Sequence, residues 1–133
     1  MTNPLLKTIS SYAEKALLYE VSLTPKPGLV DRYSNGAHHD MDFYTFLDSI
    51  VSLAPFFYQY AEAGYNHKGD DPLLFEQLRK IGKKAEKAML HATNGINTHK
   101  GANFSFAILL GATGLYIKKG ATLPFTKKDT ESV

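Results

Sequence analysis

The chain has 133 residues, 44% of them aliphatic or aromatic and 21% charged, with a formal net charge of +2; that balance separates it from disordered chains and supplies the core of one domain. So small a charge gives no sign of general affinity for nucleic acid or a membrane surface and leaves room for a local basic site. There is no cysteine, so disulfides, thiolate metal sites and cysteine nucleophiles are excluded, and a reducing cytoplasm is the compartment that fits.

The N-terminal MTNPLLKTISSYAEK lacks the basic, apolar and small-residue regions of a signal peptide. The first predicted helix takes Asn3 as its cap and Pro4 at its first position. It then places Leu5, Ile9, Ala13, Ala16 and Leu17 on one stripe, with Lys7, Ser11, Glu14, Lys15 and Ser22 opposite. Glu20 projects near the centre of that stripe. A buried, unpartnered carboxylate costs several kcal/mol, so Glu20 is expected to be neutral or to meet a cation or metal. The alternative is a fraying helix end that turns Glu20 to water.

A long polar segment follows, EVSLTPKPGLVDRYSNGAHHDMD, from Glu20 to Asp42. Pro25 and Pro27 bracket Lys26 and present it from a stiff, extended backbone, and Gly28 permits a turn or a close approach by a ligand. Asp31, Arg32, Ser34, Asn35 and Gly36 come next, then Asp40 and Asp42 around Met41. Carboxylates two apart in a loop chelate a hard cation such as Mg²⁺ together with phosphate oxygens. Asp42 also suits the N-cap of the next helix. His38 and His39 are adjacent and point apart in an extended chain, which argues against a shared metal site.

The second predicted helix starts at Asp42 and runs through FYTFLDSIVSLAPFFYQYAEAG, with Pro55 expected to kink or split it and Gly64 to end it. The third takes Asp71 as its cap and Pro72 at its first position, and lines up Leu74, Leu78, Ile81, Ala85, Ala88 and Ala92 against a basic face of Arg79, Lys80, Lys83 and Lys87. The segment ATNGINTHKGANFS then delivers Asn94, Asn97, Thr98, His99 and Lys100 to the start of a fourth helix. Unpaired amides and the positive end of the helix dipole favour an anion there. A plain cap by Thr98 is the simpler alternative.

The fourth helix, Gly101 to Ile117, is apolar all round, the mark of a helix buried on every side. Asn103, Ser105 and Thr113 interrupt its apolar run, which is shorter than the ~20 residues of a membrane span. No strand alternation or internal repeat is visible. The expected fold is an all-α bundle with a buried central helix and long polar loops: residues 1–117 form the helical domain and 118–133 a polar tail with a disordered composition. Three flanking helices cover a central one poorly, so the chain is expected either to self-associate as a homodimer or to be part of a larger helical fold.

EVSLTPKPGLVDRYSNGAHHDMDFYTFLDS followed by GINTHKGANFSFAILLGATG closely resembles the N-terminal half of the triphosphoribosyl-dephospho-CoA synthase family. The likeness extends from about Glu14 to Gly114, and both motifs are long and specific. It implies an all-helical transferase joining ATP to 3′-dephospho-CoA with release of adenine, making the prosthetic-group precursor of the citrate lyase acyl carrier subunit, with relatives serving malonate decarboxylase. Such a reaction needs cations for the triphosphate, a base for the attacking ribose hydroxyl and stabilisation of oxocarbenium-like charge. The expected roles are phosphate binding by Lys26, Arg32, His99 and Lys100, other substrate contacts by Gly28, Ser34, Asn97 and Thr98, and Mg²⁺ binding by Asp40 and Asp42. Glu20 or Asp31 is the expected base or charge stabiliser. The family carries further acidic and glycine-rich motifs in a second half that this chain lacks. Two rival readings follow: a non-catalytic nucleotide-binding fragment, and a helical module that docks on the acyl carrier protein or its partner enzymes through the basic face of the third helix.

Overall fold

A computed structural model describes residues 3–23 and 42–120. It contains four helices, α1 (Pro4–Ser22), α2 (Phe43–Asn66), α3 (Asp71–Ala92) and α4 (Lys100–Lys118), and no strand among the described residues. The fold is the expected all-α bundle, with the helices running alternately up and down. Long-range contacts fix that arrangement: the Asn3 amide donates to the Tyr58 hydroxyl at 3.0 Å, while Ser49 meets His99 at the other end. The polar tail from 121 onward lies outside the described residues, as does the segment 24–41.

Local chemistry sets most of the helix ends. The Asn3 carboxamide oxygen accepts from the Leu5 and Leu6 amides, and Pro4 takes the first helical position. Asp42 caps α2 by accepting from the Thr45 amide at 2.8 Å and the Thr45 hydroxyl at 2.9 Å. The start of α3 is one residue earlier than expected: Asp70 is its N-cap, without a side-chain capping bond, and Asp71 is already helical. Its end is a left-handed turn through Asn94 and Gly95, at φ 56° and 88°, with the Gly95 amide donating to the Leu90 carbonyl at 2.7 Å.

Neither Pro55 nor Gly64 interrupts α2. Pro55 is exposed, and so is Val51, whose carbonyl loses its helical amide partner, so water can satisfy that oxygen. Gly64 serves packing instead of termination. A Cβ on Gly64 would land on the Gly111 carbonyl, and one on Gly114 would land on the Ala61 carbonyl. The backbones of α2 and α4 therefore touch over their second halves.

The core is built from Leu6, Ile9, Ala13, Leu17 and Val21 of α1, Ile50, Leu53, Phe57 and Tyr60 of α2, Leu78, Ala85 and Met89 of α3, and Ala107, Leu110 and Ile117 of α4. Inside it, Asn103 is fully buried. Its carboxamide accepts from the Tyr60 hydroxyl at 2.5 Å and donates to the Gly82 carbonyl at 3.1 Å, tying α2, α3 and α4 together. Burial holds the Tyr60 hydroxyl well above the usual phenol range, so it remains a donor.

Two expectations of burial need correction. In α1 the buried stripe includes Leu6, Ser10 and Val21, while Leu5 and Ala16 are exposed. The stripe is rotated by about half of the 100° step between successive residues, but Glu20 still projects between Ile9 and Ala13, both buried, so its exposure follows the helix-end alternative. Glu20 is exposed at the helix end. In α4 one side faces outward, with Ile108 47% and Leu109 52% exposed, because α2 and α3 cover only the face of Asn103, Ala107, Leu110 and Gly114. The helix is apolar all round without being central.

Candidate functional site

Four helix ends meet at one end of the bundle: the C-termini of α1 and α3 and the N-termini of α2 and α4. The hub is His99, 7% exposed, immediately before α4. Its Nδ1 lies 2.7 Å from the hydroxyl of Ser49 in α2, and the Thr98 hydroxyl donates to the same Ser49 oxygen at 2.5 Å. The edge of the Phe46 ring packs against the imidazole, centroid to centroid 5.1 Å at an interplanar angle of 80°. The His99 amide donates to the Met89 sulfur at 3.4 Å, fixing α4 to the last turn of α3. Ser49 is fully buried.

Burial lowers the pKa of the imidazole from its ordinary value, and the negative charge of Glu20 partly opposes that shift. Glu20 and His99 therefore face each other electrostatically although 79 positions separate them (99 − 20). The lowered pKa changes the role expected of His99. Near neutral pH the ring is a neutral imidazole, able to give one hydrogen bond without adding a positive charge.

The Lys100 ammonium is the cation at this end among the described site candidates. Its side chain is 56% exposed and its Nζ stands 3.6 Å from Glu86 Oε1. An exposed pair of that length is weak and exchanges readily for a better anion. His99 is the N-cap position of α4 and makes no side-chain capping bond, while the Asn97 carboxamide oxygen accepts from the Lys100 amide at 3.1 Å. Thr98, the simpler cap candidate, turns inward to Ser49 instead. Gly101 lies in the exposed first turn, and a Cβ there would meet no atom within 4 Å, which leaves space beside the free amides of that turn.

The structure thus brings Glu20, Asn97, Thr98, His99 and Lys100 to the same end. Asp42 stands at the start of α2, fully exposed, with its pKa lowered mainly by the Thr45 amide. One of its carboxylate oxygens is taken up by the cap. No cluster of three His, Cys, Asp or Glu residues suited to a metal ion occurs among the described residues. Lys26, Gly28, Asp31, Arg32, Ser34 and Asp40 lie outside the described residues; the chain that carries them joins Leu23 to Asp42, two positions flanking this end. Ser49 was not legible as a site residue in the sequence. Its signal was a small polar residue on the buried face of α2, between Phe46 and Ile50.

No helix among the described residues is long and apolar enough to cross a membrane. No solved structure matches the chain. Among curated proteins it is 55% identical over 139 aligned residues to the probable 2-(5''-triphosphoribosyl)-3'-dephosphocoenzyme-A synthases of Streptococcus pyogenes serotype M49 (strain NZ131), serotype M1 and serotype M2 (strain MGAS10270). Each alignment covers 100% of this chain and 47% of the relative, so the chain spans about half the length of the curated relatives it matches. The family model described as ATP:dephospho-CoA triphosphoribosyl transferase matches residues 6–133, which include every residue of the His99 hub and the whole segment between α1 and α2. The chain belongs to the ATP:dephospho-CoA triphosphoribosyl transferase family.

Proposed function

We propose that the open end of the bundle is the nucleotide-binding part of a cytoplasmic transferase that joins ATP to 3′-dephospho-CoA. A ribose hydroxyl of dephospho-CoA attacks the anomeric carbon of ATP, the carbon–nitrogen bond to adenine breaks, and adenine leaves with a proton while the triphosphate stays on its ribose. The product, 2′-(5″-triphosphoribosyl)-3′-dephospho-CoA, is the precursor of the citrate lyase acyl carrier prosthetic group. The observation that carries this reading is the convergence of Asn97, Thr98, His99 and Lys100 with Glu20 at one end of the bundle, in a chain of this family.

The roles follow from the chemistry of each group. Lys100 exchanges Glu86 for a phosphate oxygen, and the neutral His99 ring donates a hydrogen bond beside it. Lys26 and Arg32 supply further positive charge from the connecting segment, with Gly28 and Ser34 as substrate contacts. Asp40 and Asp42 would hold Mg²⁺ together with the triphosphate, and the ion would supply positive charge against the phosphate oxygens. Glu20, exposed and in electrostatic reach of His99, or Asp31 accepts the hydroxyl proton or stabilises charge at the anomeric carbon. Exposure suits a carboxylate that must remain ionised better than the apolar setting expected from the sequence.

Calorimetry with ATP and mass spectrometry for the coupled product test the reading together. Lys100→Ala is expected to weaken ATP binding by about 1 kcal/mol, the low end for a charge-assisted hydrogen bond, because the lysine is exposed. Unchanged affinity removes Lys100 from the phosphate site. A second reading is favoured by the half-length match: the chain binds ATP without turnover. ATP binding with no coupled product, and no loss of adenine, supports that reading over catalysis by this chain alone. The exposed basic face of α3, Arg79, Lys80, Lys83 and Lys87, supports a third role in docking an acidic acyl carrier protein, tested by pull-down with those charges reversed.

A further inference from the structure

Ser49 is fully buried in the middle of an apolar helix face, and its hydroxyl touches no ligand space. Among its recorded contacts, Thr98 donates to its oxygen at 2.5 Å and His99 Nδ1 stands 2.7 Å away. No buried side-chain nitrogen or oxygen among the described residues lacks a hydrogen-bond partner. A serine hydroxyl has one proton to give. Thr98 donating to Ser49 leaves the Ser49 proton available to His99 Nδ1, the pairing in which Nδ1 accepts and the neutral ring carries its proton on Nε2. The imidazole also packs against the Phe46 ring, and the backbone amide of the same residue is tied to the Met89 sulfur.

We propose that Ser49, backed by Thr98, is the positioning residue of this site: its hydroxyl holds His99 in the Nε2–H tautomer, so that the imidazole meets an anion as a hydrogen-bond donor. The proposal rests on the nucleotide reading for the identity of that anion, the triphosphate of ATP. It stands on the hydroxyl chain alone for the state of the ring. Ser49 acts through His99 and touches neither substrate nor reacting atoms. The arrangement suits a phosphate site, because a ring locked in the opposite tautomer would present a lone pair to the phosphate oxygens and repel them. Fixing the donor in advance also removes the reorganisation that a freely exchanging ring would undergo on binding.

Two readouts on the intact chain test this. Long-range proton–nitrogen NMR of the histidine rings, with His99 identified by loss of its signals in His99→Gln, reports the tautomer directly. Titration with inorganic triphosphate reports anion binding without requiring catalysis. The wild-type ring is expected to carry its proton on Nε2 with Nδ1 unprotonated. Ser49→Ala is expected to shift the ring to a mixture of tautomers and to weaken triphosphate binding about 5-fold, as for one lost oriented hydrogen bond, with the helical signal unchanged. Ser49→Thr, which keeps the hydroxyl, is expected to keep the tautomer. Thr98→Val, which removes the donor behind Ser49, is expected to shift the tautomer in the same direction and provides the reading should Ser49→Ala not fold. A wild-type proton on Nδ1, or an unaltered ring in the folded variants that break the chain, overturns the proposal. If the tautomer shifts while triphosphate affinity does not, Ser49 positions His99 and the nucleotide reading of this end falls. If wild type binds triphosphate and the tautomer ignores the variants, the nucleotide reading stands and the positioning role falls.

Discussion

His99 links the titration of a single ring to the stability of the bundle. Burial lowers its folded pKa relative to its unfolded pKa, taken at the ordinary value of 6.5. Between the two values the unfolded chain binds more protons, so stability rises with pH there. The contribution is therefore present above about pH 6.5, declines as the pH falls below it, and levels off once the folded ring is itself protonated. Urea unfolding at pH 7 and pH 5 is expected to show lower stability at pH 5, and His99→Gln is expected to reduce that difference. A wild-type profile flat over this range contradicts the lowered pKa. Asn103 offers a second test at this scale. Asn103→Leu leaves the Tyr60 hydroxyl and the second lone pair of the Gly82 carbonyl without a partner in the core, a loss of about 2–3 kcal/mol readable by denaturant unfolding. Asn103 was legible in the sequence only as an interruption of an apolar run, because its partners are 43 and 21 positions away.

The glycines and caps decide how helices pack and where they begin. Gly64 and Gly114 let the backbones of α2 and α4 touch, so Gly114→Ala forces a methyl group onto the Ala61 carbonyl. The expected loss is about 1–3 kcal/mol by overpacking, measured by urea unfolding. Gly101→Ala, in an open first turn, is expected to be neutral or stabilising by up to about 1 kcal/mol. A reversal of that order contradicts the close α2–α4 approach. At the start of α2, Asp42→Ala is expected to lower the melting temperature while Asp42→Asn largely retains it, because an amide oxygen also accepts from the Thr45 amide. Ionisation of the Asp42 carboxylate strengthens that cap further. Its folded pKa lies below the ordinary 3.8, so the contribution is complete above the unfolded value and disappears as the pH falls through the folded one. Gly64 was read from the sequence as a stop signal. Glycine marks a helix end and a close helix contact equally well, and only the neighbouring helix distinguishes them.

At the scale of the whole molecule, a second-half surface remains apolar and open. Phe75 of α3 and Ile108 of α4, 57% and 47% exposed, line a groove between these helices, on a bundle that spans about half the length of its curated relatives. The proposed homodimer would cover such residues. Sedimentation is expected to show concentration-dependent association that Ile108→Glu reduces; a monomer at all concentrations in both forms removes the dimer. The opposite, polar end remains the proposed nucleotide site, so association through α4 and ATP binding are expected to respond to different variants.

By itself the sequence determined the class and punctuation of the fold. Four helical periods, the Asn3–Pro4 start, the Asp42 cap and the absence of cysteine are local properties that no packing arrangement alters. The two long motifs likewise identified the family before any coordinate. Tertiary structure decided the rotation of each helix about its axis and the partners of its buried polar groups. Periodicity sets the angles between residues on one helix but not the direction in which the whole stripe faces or where along the helix its cover ends: Leu5 and Ala16 turn outward with the rotation, and Glu20 is exposed in the last turn. Ser49 and His99 are 50 positions apart, a pairing that exists only because α2 and α4 start at the same end of the bundle.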